Sequence, residues 1–197
     1  MRAHTSISNL LIAAGVALLS ACAPFKLEPP DGFVEVHRYS SEARMKAQDN
    51  VGLSLRVFKN VRGGTLGYWA ADLVEKLGLR GYTLVSQTPA RSRNGVVGTR
   101  FDFDYTAQGS DAPKFYTAVL FVTDERKFVL QVAGDKAKEA AYKARIDEIV
   151  GELKVRGCKV ASKICKGPQP PRLSTGGAPQ IPAPAGGDEG VAPAGAK

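Results

Sequence analysis

Residues 100–105 read Arg-Phe-Asp-Phe-Asp-Tyr, a strict alternation of charge and aromatic ring. Only a β-strand, whose successive side chains point to opposite faces, sorts such a run into one buried and one solvated row. Just upstream stands Asn94-Gly95, a dipeptide suited to the positive-φ positions of a tight hairpin turn. A strand of this kind cannot be stable alone. It needs paired neighbours and a cover for its apolar face.

The neighbours are legible on both sides. Phe33–Tyr39 follows the turn signal Pro29-Pro30-Asp31-Gly32 and reads as a strand. The segments 43–48 and 51–58 flank Asp49-Asn50, with Val51, Leu53, Leu55 and Val57 on one face of the second. Gly81–Gln87 has strand character, and two apolar strands, Phe115–Thr123 and Lys127–Ala133, meet around Asp124-Glu125-Arg126. Connections of hairpin length join antiparallel strands, since parallel ones need a long crossover.

Two segments switch to the helical period. Leu66, Trp69, Ala70, Leu73, Val74 and Leu77 recur at i, i+3, i+4, i+7, i+8 and i+11, one stripe of a helix. Thr65 is placed to cap it and Gly78 to end it. Trp69 falls within this stripe, so it reads as a core residue. A second stripe comprises Tyr142, Ile146, Ile149, Val150 and Leu153, with Asp135 placed to cap it. The expected class is α+β, a mainly antiparallel sheet packed by two amphipathic helices.

The stretch from Phe115 to Leu153, where FYTAVLFVTDERKFVLQVAGD leads into a helix ending EIVGELKV, resembles the PsbP-like superfamily. That superfamily includes the extrinsic PsbP subunit of photosystem II. The resemblance spans Phe33 to Val155 and rests on the pattern of elements. It implies an α/β/α sandwich and a non-enzymatic binding or assembly role in an exported compartment, with no catalytic residues to carry over.

The two ends are of different material. Arg2 leads into an apolar run from Leu10 to Leu19, followed by Ser20, Ala21 and Cys22. A positive lead, a short apolar run and small residues make a secretory signal, whereas a membrane-spanning helix needs about 20 apolar residues. Leu19-Ser20-Ala21-Cys22 resembles the bacterial lipobox. That resemblance implies cleavage before Cys22 and lipid on its sulfur, hence a lipid-anchored protein of the cell envelope. Ala23 stands where aspartate would retain such a protein at the inner membrane, which points to the outer membrane, facing the periplasm. Residues 1–21 are thus read as signal and 22–30 as a linker. The globular domain spans 31–166. Residues 167–197 hold seven Pro, seven Gly and six Ala, and so few large apolar groups cannot offset the entropy of ordering. A disordered tail is expected there.

Candidates for chemistry are few. His4 leaves with the signal, so His37 is the sole histidine left for a Ser-His-Asp or Cys-His site, and no G-x-S-x-G elbow accompanies it. Motifs for metal or cofactor binding are absent, and none is expected. Gly63-Gly64 lacks the fuller phosphate-loop pattern and reads as a turn. Asp102 and Asp104 share one strand face about 7 Å apart, within the range that paired-carboxylate hydrolases use. An envelope hydrolase using these two is the alternative to a binding module. It would require them to line a concave pocket.

With Cys22 assigned to lipid, Cys158 and Cys165 remain as an even pair in an oxidising compartment, where a disulfide is expected. Closing so short a loop contributes about 2.5 kcal/mol by the chain-entropy estimate. The chain's formal net charge is +8, and its excess is local. Lys154, Arg156, Lys159, Lys163 and Lys166 surround the cysteine pair with no acid among them. The expected partners are the membrane, through the lipid, and an anionic envelope surface, polymer or protein. Nucleic acid is not an expected partner of an exported chain.

Overall fold

In the computed structural model, residues 23–106 and 111–176 are described. Signal residues 1–21, Cys22 and the end of the tail, 177–197, lie outside them.

Among the described residues, nine strands and two α-helices follow one another: β1 (Phe25–Lys26), β2 (Phe33–Tyr39), β3 (Glu42–Ala47), β4 (Gly52–Lys59), α1 (Leu66–Gly78), β5 (Thr83–Arg91), β6 (Val97–Tyr105), β7 (Lys114–Val122), β8 (Arg126–Asp135), α2 (Glu139–Glu152) and β9 (Lys154–Val155). Seven strands form one sheet in the order β2-β3-β4-β8-β7-β6-β5, and β1 pairs with β9 in a small ribbon. Every pairing is antiparallel. The expected mainly antiparallel sheet with two helices is what forms.

Each helix covers one side of the sheet. Leu66, Ala70, Val74 and Leu77 of α1 pack on Phe101, Phe103, Ala118, Leu120, Val122 and Val129, with Trp69 and Leu73 at the margin. Tyr142, Ile146, Ile149 and Val150 of α2, followed by Leu153, join Leu53, Leu55, Phe115, Val119, Phe121, Phe128, Leu130 and Val132 on the other side. Strand β7 serves both cores at once. That is why Phe115–Val122 is apolar at nearly every position instead of alternating. Edge strand β5 runs on to Arg91 and contains Pro89, which an edge tolerates because one row of its N–H groups has no ladder partner.

Several details differ from the sequence expectation. Thr65 does cap α1, accepting from the N–H of Tyr68 at 3.3 Å. Gly78, by contrast, is the last helical residue, and the left-handed position falls at Gly81, φ 85°. Asp135 makes no capping bond and instead pairs with Lys114. A short 3-10 turn, Lys136–Lys138, intervenes before α2.

The assignment of 22–30 as a linker is corrected for its described residues, 23–30. Pro24, Phe25 and Leu27 are buried, and Phe25 and Lys26 pair with Val155 and Lys154. Three apolar side chains suffice to dock a segment whose backbone groups find partners, although three residues are too few to show a period. The boundary of the tail also moves. Residues 167–176 lie along β5 and β6, with Pro170 buried and Leu173 against the α1 core. The Gln87 amide donates to the carbonyls of Pro170 and Pro171 and accepts from the N–H of Leu173 at 3.1 Å. Gln169 donates to the carbonyl of Gly98 at 2.9 Å, and Thr175 accepts from the N–H of Leu84. Polar partners on the sheet thus order a stretch whose composition argues for disorder.

Candidate functional site

Lys154 lies on β9, beside Lys26 of β1. The next charge, Arg156, is fixed to the start of the described chain. Its backbone N–H donates to the carbonyl of Pro24 at 2.9 Å, and its guanidinium donates to the carbonyl of Ala23 at 3.1 Å. Gly157 then turns with φ 111°, where a Cβ would come within 2.9 Å of the Thr123 hydroxyl oxygen, so the chain crosses the β7–β8 turn closely. A loop follows, closed by a disulfide between Cys158 and Cys165. Its inner side is apolar, with Cys165 buried and Ile164 packed on the α1 core. Its outer side carries Lys159 and Lys163, both exposed, and Lys166 is exposed just beyond it.

Asp124, in the β7–β8 turn, fixes this loop. Its carboxylate accepts from the N–H of Lys159 at 2.9 Å. That bond first, with the Ser162 hydroxyl second, holds the Asp124 carboxyl below the usual carboxylate range. Among the described residues, Asp124, Cys158 and Cys165 bring potential ligand atoms within 4.8 Å of one another. With the sulfurs bonded to each other they offer no thiolate for a metal.

The Asp102–Asp104 pair takes a different form from the expected open polar face. Arg100 and Asp102 are 5% and 7% exposed, covered from the side of α2. Asp102 accepts from Arg100 at 2.9 Å, from the Thr117 hydroxyl at 2.6 Å and from the Ser86 hydroxyl at 2.7 Å. Arg100 also donates to Asp147 and to the carbonyl of Lys143 on α2. Burial alone would raise the Asp102 pKa, but the Thr117 and Ser86 hydrogen bonds and the Arg100 charge outweigh it and hold the carboxyl low. Asp104 is ion-paired with Lys136. A buried carboxylate whose oxygens receive three donors ties strands to one another and, through Arg100, to α2.

A groove lies elsewhere. It encloses about 570 Å³ between residues 26–31 and α2, and neither Asp102 nor Asp104 lines it. Two ion pairs offset part of its charge. Arg93 meets Glu152 at 3.0 Å and Lys26 meets Glu28 at 3.5 Å, while Arg145 stacks over Tyr142. His37 is half-buried on β2 with its ring against Tyr39, and Gly63 is part of a 3-10 turn. Trp69 lies at the core margin, donating from Nε1 to Asn60 at 2.8 Å, with the Lys127 ammonium 3.1 Å from its ring centroid.

Sequence reasoning missed Asn60. Its amide donates to the carbonyls of Gly64 and Thr123 while its oxygen accepts from Trp69. It thereby joins the loop before α1 to the β7–β8 turn. No local pattern marks such a residue, because all its partners except Gly64 are distant along the chain or set by the helix.

No family model matches the chain, and no curated protein matches it. Solved structures of similar shape include cyanobacterial PsbP from Synechocystis sp. PCC 6803, 12% identical over 68% of this chain and 88% of that one, with a TM-score of 0.46. A Bacteroides thetaiotaomicron protein is 16% identical over 68% of this chain and 45% of that one, TM-score 0.38. PA94 from Pseudomonas aeruginosa is 10% identical over 63% of this chain and 97% of that one, TM-score 0.44. Likeness at this level transfers no role.

Proposed function

We propose that the protein is an envelope lipoprotein held to the outer membrane, on its periplasmic side, by lipid on Cys22. Its PsbP-like α/β/α domain is a non-enzymatic binding module that contacts an anionic envelope surface through Lys154, Arg156, Lys159, Lys163 and Lys166. The observation that carries this reading is the pairing of Phe25 with Val155 and Lys26 with Lys154. It brings the residues that follow Cys22 against the first residues of the basic segment. A lipid on Cys22 would sit beside that charge, and an acyl chain together with a polybasic patch gives the two signals that stable anchoring needs. A binding role fits a molecule whose buried carboxylate, Asp102, is spent on structure.

The test is acyl labelling and membrane fractionation of the full chain beside Cys22→Ala. The wild type should label and sediment with membrane, and the variant should do neither. Equal labelling of both would sink the lipoprotein reading.

A further inference from the structure

The basic segment is only part of a larger surface. A continuous set of hydrogen bonds runs across one end of the sheet. The N–H of Asn60 donates to the carbonyl of Glu125, and that of Glu125 donates to the carbonyl of Gly157. The Asn60 side chain holds the carbonyl of Thr123, while Arg156 holds those of Ala23 and Pro24. Residues 59–64, 123–126 and 156–165 and the start of the described chain therefore share one end.

Two apolar tips project there. Val61, in the 3-10 turn, is 60% exposed, and Val160, in the disulfide loop, is 101% exposed. Cations flank each in sequence: Lys59 and Arg62 around the first, Lys159 and Lys163 around the second. Ile164 lies next to Gly63, so the two loops are neighbours. Isolated exposed valines are common and mean little by themselves. Here they coincide with a cluster of cations and with the exit of the chain towards Cys22. At the opposite end of the strands three cations are ion-paired, Lys138 with Asp49, Lys136 with Asp104 and Lys114 with Asp135, while at the end with the two tips Glu125 pairs with Arg126 and Asp124 lies near Lys159.

We propose that this end is a membrane-docking surface for anionic phospholipid, with Val61 and Val160 entering the headgroup layer and Lys59, Arg62, Lys159 and Lys163 meeting the phosphates. Apolar tips amid lysine and arginine are the composition of an interfacial contact. Each cation near an anionic surface strengthens binding by about fivefold. Since Pro24, Phe25 and Leu27 are buried, no free linker separates Cys22 from this end. A lipid there would press the same surface onto the bilayer. That last step rests on the proposed lipidation, whereas the headgroup contact does not.

The experiment is co-sedimentation of residues 23–197, which include every described residue, with vesicles of equal parts phosphatidylethanolamine and phosphatidylglycerol, across a salt series. Binding should be weak and suppressed by salt, because exposed charges are screened beyond about 8 Å near physiological ionic strength. Lys59→Glu with Lys159→Glu should weaken it by at least about tenfold. Arg80→Glu, at the opposite end, should leave it unchanged. Val160→Trp should show a blue-shifted emission change on adding vesicles. Thermal midpoints of the variants establish that each is folded. Three outcomes would overturn the proposal: no binding at low salt, equal loss in the two charge variants, or binding to soluble polyglutamate without binding to vesicles. Acyl labelling of the full chain reads the lipid separately, so failure of the anchor and failure of the surface are distinguishable.

Discussion

Arg156 and Pro24, separated by most of the folded chain, are joined by a backbone hydrogen bond of 2.9 Å. Beside it Phe25 pairs with Val155, and both side chains are buried in the α2 core. The start of the domain is thus built into its core by the segment that closes it.

Phe25→Ala should therefore destabilise the protein substantially. Truncating a buried phenylalanine costs about 3–5 kcal/mol, and a loss of at least about 3 kcal/mol is expected. Urea unfolding at neutral pH measures it. A loss under about 0.5 kcal/mol, the range of ordinary surface substitutions, would mean that residues 23–30 behave as a free linker.

The described part of the tail, 167–176, packs on the sheet. Removing residues 167–197 takes away Pro170, Leu173 and the partners of Gln87, Gly98 and Leu84. Net losses of about 0.5–1.5 kcal/mol per hydrogen bond, more where a buried group is left unpaired, predict a total of about 2–3 kcal/mol. For a domain of this size that lowers the thermal midpoint by about 6–12 °C. A truncation after Gly176 keeps the described packing and is the reference. If the two truncations melt together, residues 167–176 contribute nothing to stability.

Asp102 carries a pH signature. Burial favours its neutral form, but the Thr117 and Ser86 hydrogen bonds and the Arg100 charge prevail, so its folded pKa is depressed. A depressed value means stability that is fully present above the unfolded pKa of about 3.9 and is lost as pH falls through the folded one. Asp102→Asn leaves Arg100 buried with Asp147 as its remaining carboxylate. Breaking a buried pair costs about 3–5 kcal/mol. The gap between wild type and variant should be about 3 kcal/mol at neutral pH and should shrink below about pH 4. Denaturant melts across that range test it, and a gap that stays constant with pH would show that the charge of Asp102 is not what stabilises the fold.

What the sequence by itself determined was whatever a local period can encode. Phe101, Phe103 and Tyr105 alternate, Leu66 to Leu77 recur at helical spacing, and Asn94-Gly95 marks its hairpin, because each signal lies within one element. That yielded the sheet, both helices and the apolar faces they bury. Tertiary structure alone decided which polar groups meet. Asp102 reads as half of a solvated face until α2 and the neighbouring strands close over it. Residues 167–176 read as disordered until Gln87 supplies three hydrogen bonds. Phe25 reads as linker until Val155, at the far end of the domain, pairs with it. Pairings across such distances leave no periodic trace, since the partner's position is fixed by the path of the whole chain. The basic end has the same origin: Lys59 and Lys159 are a hundred residues apart in the sequence, and only the turn between β7 and β8 brings their loops together.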